Sequence, residues 1–600
     1  MDIEKILQNQ KNKVQKLQRI LKKNLNKISI YRFVFFVLFI LLFIFVYVYR
    51  EKYFYLAILP IASFIAFIYL IYKYEKLKDL ENKIQSYKSL LQRDEWRSLK
   101  NISMLYREDP SYPEEHFYKD LDIFGKNGLY TYLDTTVTEK GRKIFLQLLL
   151  QKDPPSLDFI RERQIAIQEL IEKKISSRKI LRLFHEISSS SGYTKISFSK
   201  YPPSLENFWK KHRIKKILHY PLLFFSYFAG FYLFLNSKTS LLFAILVFNL
   251  VFVYFSNRET SKLLSLSRNF FSKLENLERL LKFISKQNWK SNLLNEIHSL
   301  ELQKVKKIFQ DIKKINSRLS ILNSPLLHFL ANIFLFWDIG ILKYLYKIEK
   351  ENKESLLSAL NGLEKLDSLL PFFNFYWHNR EVEFPTIDLA LESISAKWIG
   401  HPLISNKLRV NNPLDLVSKG EIVLITGSNM SGKTTYLRTI GINVLLALCG
   451  APTMSKGLRL PPLKILTSIR NEDSLQEGIS FFYSEVKKIA YILKNAEESK
   501  TFSLVLIDEV LKGTNTKERV IATTEILKLL SKRNTFNFIT THDLDLAKGK
   551  KAKQYILKHF SEQIQDEKMF FDYKIRNGIV NSSNALKILS IECPSFQFKV

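Results

Sequence analysis

Residues 421–435 read EIVLITGSNMSGKTT. An apolar, β-branched run from Ile422 to Ile425 ends in Gly427-Ser428-Asn429-Met430-Ser431-Gly432-Lys433-Thr434, which fits the G-x-x-x-x-G-K-[ST] phosphate-binding pattern. Glycines let the backbone curl so that successive N–H groups face the phosphates, and the positive end of the following helix adds to that field. The pattern is informative only between a strand and a helix. Here the predicted strand precedes it, and a helix is expected from Thr435 to Leu448. The stretch Gly427 to Thr435 is therefore the expected site for a nucleoside triphosphate. Lys433 would reach the β- and γ-phosphates, and the Thr434 hydroxyl would be offered to Mg²⁺.

A second acidic site lies downstream. Ser503-Leu-Val-Leu-Ile507 reads as a buried strand ending in Asp508-Glu509, which puts both carboxylates at the C-terminal edge of a parallel sheet, where α/β folds hold ligands. Asp508 is expected in the Mg²⁺ shell, and Glu509 would polarise the attacking water. A further short strand, Phe536 to Thr541, runs into His542-Asp543. His542 at that strand end can sense a γ-phosphate by hydrogen bonding; standing alone, it would read as an ordinary loop histidine. The order of these motifs predicts an ABC-type ATPase, whose sites close between two nucleotide-binding domains.

These residues carry a specific resemblance. TGSNMSGKTTYLRTIG (426–441) and DEVLKGTNT (508–516) resemble the Walker A and Walker B segments of the MutS family. Between them, Asp473-Ser-Leu-Gln-Glu-Gly478-Ile-Ser480-Phe-Phe-Tyr-Ser-Glu485 is similar to that family's D-x-L-x-x-G-x-S-x-F-x-x-E stretch. The resemblance implies that Ser480 meets the γ-phosphate held by a partner subunit. TTHDLDLA (540–547) resembles the family's histidine switch, and Phe571 to Lys574 with Gly578 its closing strand pair. LDTTVTEKGRKIFLQLLLQKDP (133–154) and IRERQIAIQEL (160–170) look like the start of the MutS core, and His401-Pro402 falls where the family has its RHP. The likeness covers roughly residues 120–590. It departs at Ser428 and Ser431, where Pro and Gly are usual, and at Leu511-Lys512 in place of Gly-Arg. Nothing ahead of residue 120 looks like a mismatch-reading domain, and neither a nuclease-like domain nor the helix-turn-helix dimerisation tail is expected.

The N-terminal region reads as membrane instead. Phe33–Tyr49 is an unbroken apolar run, and a second extends from Tyr53 to Tyr72. Each approaches the roughly 20 residues needed to cross a bilayer, and Pro60 is tolerable there. A second hairpin is expected at Ile217–Leu235 and Thr239–Phe255, the alternative being a buried helical pair in a soluble core. Lys5, Lys11, Lys13, Lys16, Arg19, Lys22, Lys23 and Lys27 precede the first span, and Lys210, Lys211, Arg213, Lys215 and Lys216 the third. By the positive-inside rule, both termini and the ATPase should be cytoplasmic, on a multi-pass protein of the inner membrane. A cleavable signal peptide is not expected, because the basic segment is long and a second span follows at once. A third apolar stretch, Leu326–Leu342, contains His328, Asn332 and Asp338 and reads as a core helix.

Residues 258–366 contain little Gly or Pro and read as long helices. Leu263, Leu264, Phe270, Leu274, Leu277, Leu280 and Leu281 recur at 3–4 spacing, as one buried stripe requires. In the family this region forms levers ending in a clamp around DNA. Lys304, Lys306, Lys307, Lys313, Lys314 and Arg318 could contact phosphates there without reading sequence, or could simply be a solvated face. The net charge of +33 suits nucleic acid or an anionic membrane surface. Much of it sits beside the spans, which weakens the argument for DNA. The two cysteines, Cys449 and Cys593, offer neither metal spacing nor a disulfide framework.

The expectation is thus a multidomain chain. Residues 1–80 form a basic segment and transmembrane helical hairpin, 81–216 the start of a MutS-like core, and 217–256 a second hairpin. Residues 257–380 form all-α core and lever helices, and 381–600 the C-terminal α/β P-loop ATPase. The implied ligands are ATP and Mg²⁺. The implied partners are the membrane, a second copy of the chain as homodimer, and DNA recognised by structure rather than sequence. Two other readings share some of these features: the ATPase subunit of a membrane transporter, and a scaffold that uses nucleotide only to switch dimerisation.

Overall fold

Two kinds of apolar run dictate two kinds of element. Long stretches without Gly or Pro make long helices, because nothing in them interrupts the i→i−4 ladder. Short β-branched runs bounded by turns make the strands of a buried sheet. In the computed structural model the residues described are 3–49, 56, 58–108, 110, 116–189, 205–211, 221–222, 224–229, 232, 239–298, 302–323, 325–428, 430–470, 481–498, 501–511, 515–547, 553–565 and 568–579.

Helix α1 (Ile3–Val48) and helix α2 (Ile58–Ser98) pack side by side. Their pairing is antiparallel: Gln18 Nε2 donates to Gln85 Oε1 at 3.0 Å near one end, and Ser63 Oγ donates to the Phe35 carbonyl at 3.0 Å near the other. Phe36 meets Phe67, and Phe39 meets Phe64, between the apolar halves. Arg32 lies over the Tyr74 ring, where the apolar halves begin. Both helices are long and apolar enough to cross a membrane, and on α1 the large side chains Phe33, Leu41 and Phe43 face outward, 70, 60 and 56% exposed. Pro60 sits in the first turn of α2, where its missing N–H costs little.

At its far end α2 enters the protein core. Asp94 is buried between Arg178 at 2.5 Å and His378 at 3.1 Å. Burial alone would raise the Asp94 carboxyl, but those two partners override it and hold it well below the usual carboxylate range. Arg97 donates to the carbonyls of Tyr132 and Asp134 at 3.1 and 2.8 Å. Just past the helix end, Lys100 Nζ donates to Tyr132 Oη (2.6 Å), Asn379 Oδ1 (2.8 Å) and the Pro402 carbonyl (2.8 Å). This node joins α2 to the end of the helix that closes at His378 and to the C-terminal third of the chain.

The core helices follow: α3 (Glu139–Leu149), capped by the Thr138 hydroxyl, α4 (Leu157–Glu172), capped by Ser156, and α5 (Lys174–Ser189). Helix α6 (Thr239–Ile284) has 46 residues and begins at the start of the fourth expected span. Leu264, Leu274, Leu277, Leu280 and Leu281 are buried on it as the 3–4 spacing predicts; Leu263 is half-buried, and the Phe270 side chain lies outside the described set. Helix α7 (Leu302–Leu319) and helix α9 (Trp337–His378) run antiparallel beside α6, with Arg318 over the Tyr344 ring at 4.6 Å. The expected divisions at 80/81 and 256/257 therefore fall inside the continuous helices α2 and α6. Most of Ile217–Leu235 lies outside the described residues.

One expectation is corrected. Residues 326–342 are not one core helix. Helix α8 (Pro325–Leu335) ends at Phe336, whose φ of 45° and ψ of 46° break the chain's direction before α9 begins. The break has a local cause: the Asn332 side chain accepts from the Asp338 N–H at 3.0 Å, capping the new helix, while His328 lies 2.7 Å from Asp338. Phe329, Phe334 and Leu335 point outward rather than into the core.

The C-terminal third is built on a six-stranded sheet. Its strands are β3 (Ile422–Thr426), β4 (Leu463–Ser468), β5 (Phe502–Asp508), β6 (Thr535–Thr541), β7 (Ile556–Gln565) and β8 (Lys568–Asn577), in the order β8-β7-β3-β6-β5-β4. All neighbours are parallel except β7 and β8. A smaller five-stranded sheet contains β1 (Ser393–Ile399), β2 (Asn412–Ser418) and short strands at Thr386–Ile387, Ser455–Lys456 and Arg459–Leu460. Alternate residues of the central strands face opposite sides. Val423, Ile425, Leu504 and Leu506 join the main core with helix α10 (Lys433–Leu448), whereas Ile422, Leu424, Val505 and Ile507 pack under α11 (Phe481–Glu498) and α12 (Thr516–Leu530). Covered on both faces, such strands must be apolar throughout, which is how they read.

Candidate nucleotide site

Three parallel strands end side by side at one edge of this sheet: β3 between β7 and β6, and β5 beyond β6. The loop from Gly427 to Gly432 joins β3 to α10. Gly427 (φ 146°) and Gly432 (φ 111°) adopt backbone that disfavours any side chain, and a Cβ at Gly427 would sit 2.8 Å from the Phe560 carbonyl. Ser431 Oγ donates to the Ser428 carbonyl at 2.8 Å, closing the turn from within. The Ser428 hydroxyl donates to Glu562 on β7, so the serine that replaces the usual proline ties the loop to its neighbouring strand.

Lys433, at the start of α10, folds back over this loop. Its Nζ donates to the carbonyls of Gly427 and Ser428 at 2.8 and 2.9 Å and lies 3.2 Å from His542 Nε2. Thr434 Oγ1 donates to Asp508 Oδ2 at 2.8 Å, and Thr540 Oγ1 donates to Asp508 Oδ1 at 2.5 Å. The next residue, Glu509, has φ 57°, and Leu511 follows at φ 55°. Left-handed backbone at non-glycine residues is strained, and here it turns the Glu509 carboxylate to within 2.6 Å of His542 Nε2. Glu509 N–H donates to Thr540 Oγ1 at 3.1 Å. Lys433, Thr434, Asp508, Glu509 and His542, drawn from three strand ends, thus form one continuous network. The cleft in front of it, about 590 Å³, is also lined by His401, Ile404, Leu408, Val410, Tyr436 and Tyr573. Burial, reinforced by nearby Arg438, Lys100 and Arg409, holds the His401 imidazole down at about 3, so it is neutral at pH 7.

Of the expected site residues, Gly427, Ser428, Met430, Ser431, Gly432, Lys433, Thr434, Thr435, Asp508, Glu509 and His542 come together here. Asn429 and Ser480 lie outside the described residues. Met430, with φ 69°, stands at the loop tip and is 86% exposed.

Sequence reading missed a brace behind the site. The Asp120 carboxylate, fully buried, accepts from Thr467 Oγ1 (2.7 Å), Ile469 N–H (3.0 Å) and Arg470 N–H (2.9 Å). Asp122 pairs with Arg438 on α10 at 2.7 Å and with Arg470 at 2.8 Å. A short helix of the core, His116–Asp120, thereby fixes both the helix behind the phosphate loop and the exit of β4. Two aspartates some 300 residues away gave no local signal of this. Arg163 does the same at the other end of α10, donating to the carbonyls of Leu448 and Cys449, both at 2.9 Å.

Comparison with known proteins agrees with this geometry. Residues 423–595 match the family described as MutS domain V. Endonuclease MutS2 of Lactococcus lactis subsp. cremoris (strain SK11) is 36% identical over 191 residues, covering 31% of this chain and 24% of that protein. Endonuclease MutS2 of Thermus thermophilus is 35% identical over 196 residues, covering 31% and 25%. Endonuclease MutS2 of Thermotoga petrophila is 30% identical over 252 residues, covering 40% and 32%. The chain spans about a quarter to a third of the length of these curated relatives. The domain V match takes in the phosphate loop, both strand-end acids and His542 in the order the structure assembles them, so this third of the chain is similar to domain V of the MutS family.

Proposed function

We propose that this chain is a membrane-anchored ATPase of the MutS type that hydrolyses ATP in a dimer and uses the cycle to gate binding to DNA. The observation that carries the reading is the convergence of Lys433, Thr434, Asp508 and Glu509 on one cleft of nucleotide size, with His542 bonded to Lys433 and Glu509. In this reading the N–H groups of Gly427–Thr435 hold the phosphates, and Lys433 turns from the Gly427 and Ser428 carbonyls onto the β- and γ-phosphate oxygens. Tyr573, Leu408 and Val410 offer an apolar wall for the base. The Thr434 hydroxyl and Asp508 carboxylate are adjacent hard-oxygen donors and fit Mg²⁺, which takes one or two protein oxygens together with phosphate and water. When bound, Mg²⁺ would supply neutralisation of phosphate charge. Glu509 accepts a hydrogen bond from the attacking water and aims it at the γ-phosphorus. His542, between Glu509 and Lys433, is placed to register whether the γ-phosphate is present. The segment containing Ser480 closes the site from a partner copy.

The DNA part draws on the relatives named as endonucleases and on exposed Lys307, Lys313 and Lys314 on α7. The membrane part draws on the outward apolar halves of α1 and α2 and the lysines ahead of them, which favour the inner membrane with the ATPase and both termini on the cytoplasmic side. The test is ATP turnover by the detergent-purified chain, with and without homoduplex, mismatched and branched DNA across a salt series. Glu509→Gln should retain nucleotide binding and lose about 10²-fold or more in rate, and Lys433→Ala should lose binding. A DNA-dependent rate with a steep salt slope supports the gating. Turnover unchanged in both variants defeats the enzymatic reading. Solute uptake into vesicles coupled to turnover would favour the transporter reading.

A further inference from the structure

We infer that residues 325–342 form a re-entrant helical turn that dips to about half depth into the same bilayer as the second hairpin; the inference rests on the membrane reading above. Helix α8 has the sequence PLLHFLANIFL and contains no charged residue. It stands at the far tip of the antiparallel pair α7 and α9, and packs against α6. Its Phe334 carbonyl accepts from Tyr227 Oη at 3.0 Å, and Tyr227 is central in the apolar run 217–235. Ser226 and Asn249 are joined at 2.9 Å, which sets the register between the two arms of the second hairpin. The end of α8 therefore lies level with the middle of the hairpin, not with its cytoplasmic ends.

The cytoplasmic level is marked independently. Glu349 accepts from the Leu205 N–H at 3.3 Å, and Lys210, in the basic cluster ahead of the third span, has Tyr346 among its electrostatic neighbours. Along α9, then, residues 346–349 align with 205–210, and everything from residue 342 back to 325 lies beyond that level. Along α9, nine residues separate Trp337, just past the break, from Tyr346, roughly 14 Å at 1.5 Å per residue, close to half of about 30 Å of hydrocarbon.

The chemistry of this tip suits lipid. Phe329, Phe334 and Leu335 on α8 are about half exposed, and Phe224, Phe228 and Phe248 beside them are at least as open. The polar groups that do occur, His328, Asn332 and Asp338, turn inward and bond one another at 2.7–3.0 Å. Phe336, at the broken backbone, is buried within protein, a setting in which non-helical chain is tolerated at membrane depth. In this arrangement the tip of the levers is seated in the bilayer.

The test uses site-directed spin labels in the full chain, reconstituted into phospholipid vesicles, with Cys593→Ser as background. Cys449 can stay, because it is fully buried and burial pushes its thiol up to about 12. Labels at F329C, F334C and L335C are compared with F43C on α1 and with I175C, a site 82% exposed on the core. Collisional relaxation by oxygen reports lipid and by a nickel chelate reports water. An oxygen-to-nickel ratio several-fold above I175C at F334C and L335C, and higher at F334C than at F329C, is the expected result. A ratio at F334C and L335C equal to that of I175C overturns the inference, as does shielding from both reagents, which would mean a protein partner. If F43C also reads as aqueous, the membrane reading itself has failed; if F43C reads as lipid, only the re-entrant turn has. Variants that do not keep the parent's thermal transition are replaced by the remaining position of the three.

Discussion

Strand β5 and the second half of α1 are both apolar runs and meet opposite fates. From Ser503 to Asp508 every residue of β5 is buried, roofed on one side by α10 and on the other by α11 and α12. From Phe33 to Val48 most of the described α1 side chains are exposed, and among the described residues α2 is the element that packs along them. Hydropathy cannot separate the two, but geometry does. A strand of seven residues presents both faces to layers of helix, whereas the second half of α1 is packed on one side against α2 and its other sides are open. On the membrane reading proposed above, the apolar surface that folding leaves open is covered by lipid, and the contrast is best probed by placing charge in each region.

The largest expected effect is Leu506→Asp. Leu506 is fully buried at the centre of the sheet, and an unpaired carboxylate there should cost upwards of about 4 kcal/mol, read as loss of the cooperative thermal transition. Leu41→Asp should leave that transition in place and instead reduce membrane insertion by roughly 2.5–3.5 kcal/mol, read as a shift from the carbonate-resistant to the soluble fraction. If Leu41→Asp changed the melting of the nucleotide domain and not its partitioning, the contrast would collapse.

Acid should act on the buried side only. Burial holds His185 and His401 down at about 3, and His378 at about 4 despite Asp94 beside it. Each is neutral when folded at pH values where the unfolded chain, titrating near pH 6.5, already binds a proton. The unfolded state then holds more protons, so stability falls as pH drops from about 6.5 towards about 4. The loss should be on the order of 1–2 kcal/mol per histidine by pH 5, measured as denaturant midpoints across that range. A flat profile between pH 7 and 5 would mean these rings are more hydrated than their packing implies.

Arg163→Ala removes two buried hydrogen bonds from the carbonyls ending α10 and should cost about 2–3 kcal/mol, seen as a lowered Tm; Arg163→Lys should recover only part, because a point charge cannot span two carbonyls. Asp367→Asn is milder. Its carboxylate accepts from the N–H groups of Val137 and Thr138 and from the Thr138 hydroxyl at 2.7–2.9 Å, fixing the start of α3. A loss of about 1 kcal/mol is expected, by the same measurement.

The legibility of the chain follows the range of its interactions. The loop 427–434, Asp508-Glu509 and His542 could be read because each motif is local and the sheet merely brings strand ends together. The leucine stripe on α6 was legible because helical periodicity is local too. The aspartate brace at 120 and 122 was not, since its partners Arg438 and Arg470 are set by packing more than 300 residues away. Nor was the break at Phe336, which has neither glycine nor proline and depends on Asn332 reaching forward to cap Asp338. Continuity itself also escaped the reading. Apolar and charged halves look like separate segments in sequence, yet α2 and α6 run through both without interruption.

That continuity makes α2 a stiff rod of 41 residues, about 60 Å long at 1.5 Å per residue. One end is clamped by Lys100 to the carbonyl of Pro402, the immediate neighbour of His401 in the wall of the cleft. Each degree of tilt at the clamp sweeps the opposite end sideways by about 1 Å. A bilayer resists such tilt by fractions of a kcal/mol per Å of thickness mismatch, comparable to thermal energy. Bilayer thickness should therefore tune turnover by a modest factor, and rates in vesicles of graded acyl length would register it. Lipid and nucleotide would then be loads at two ends of one beam.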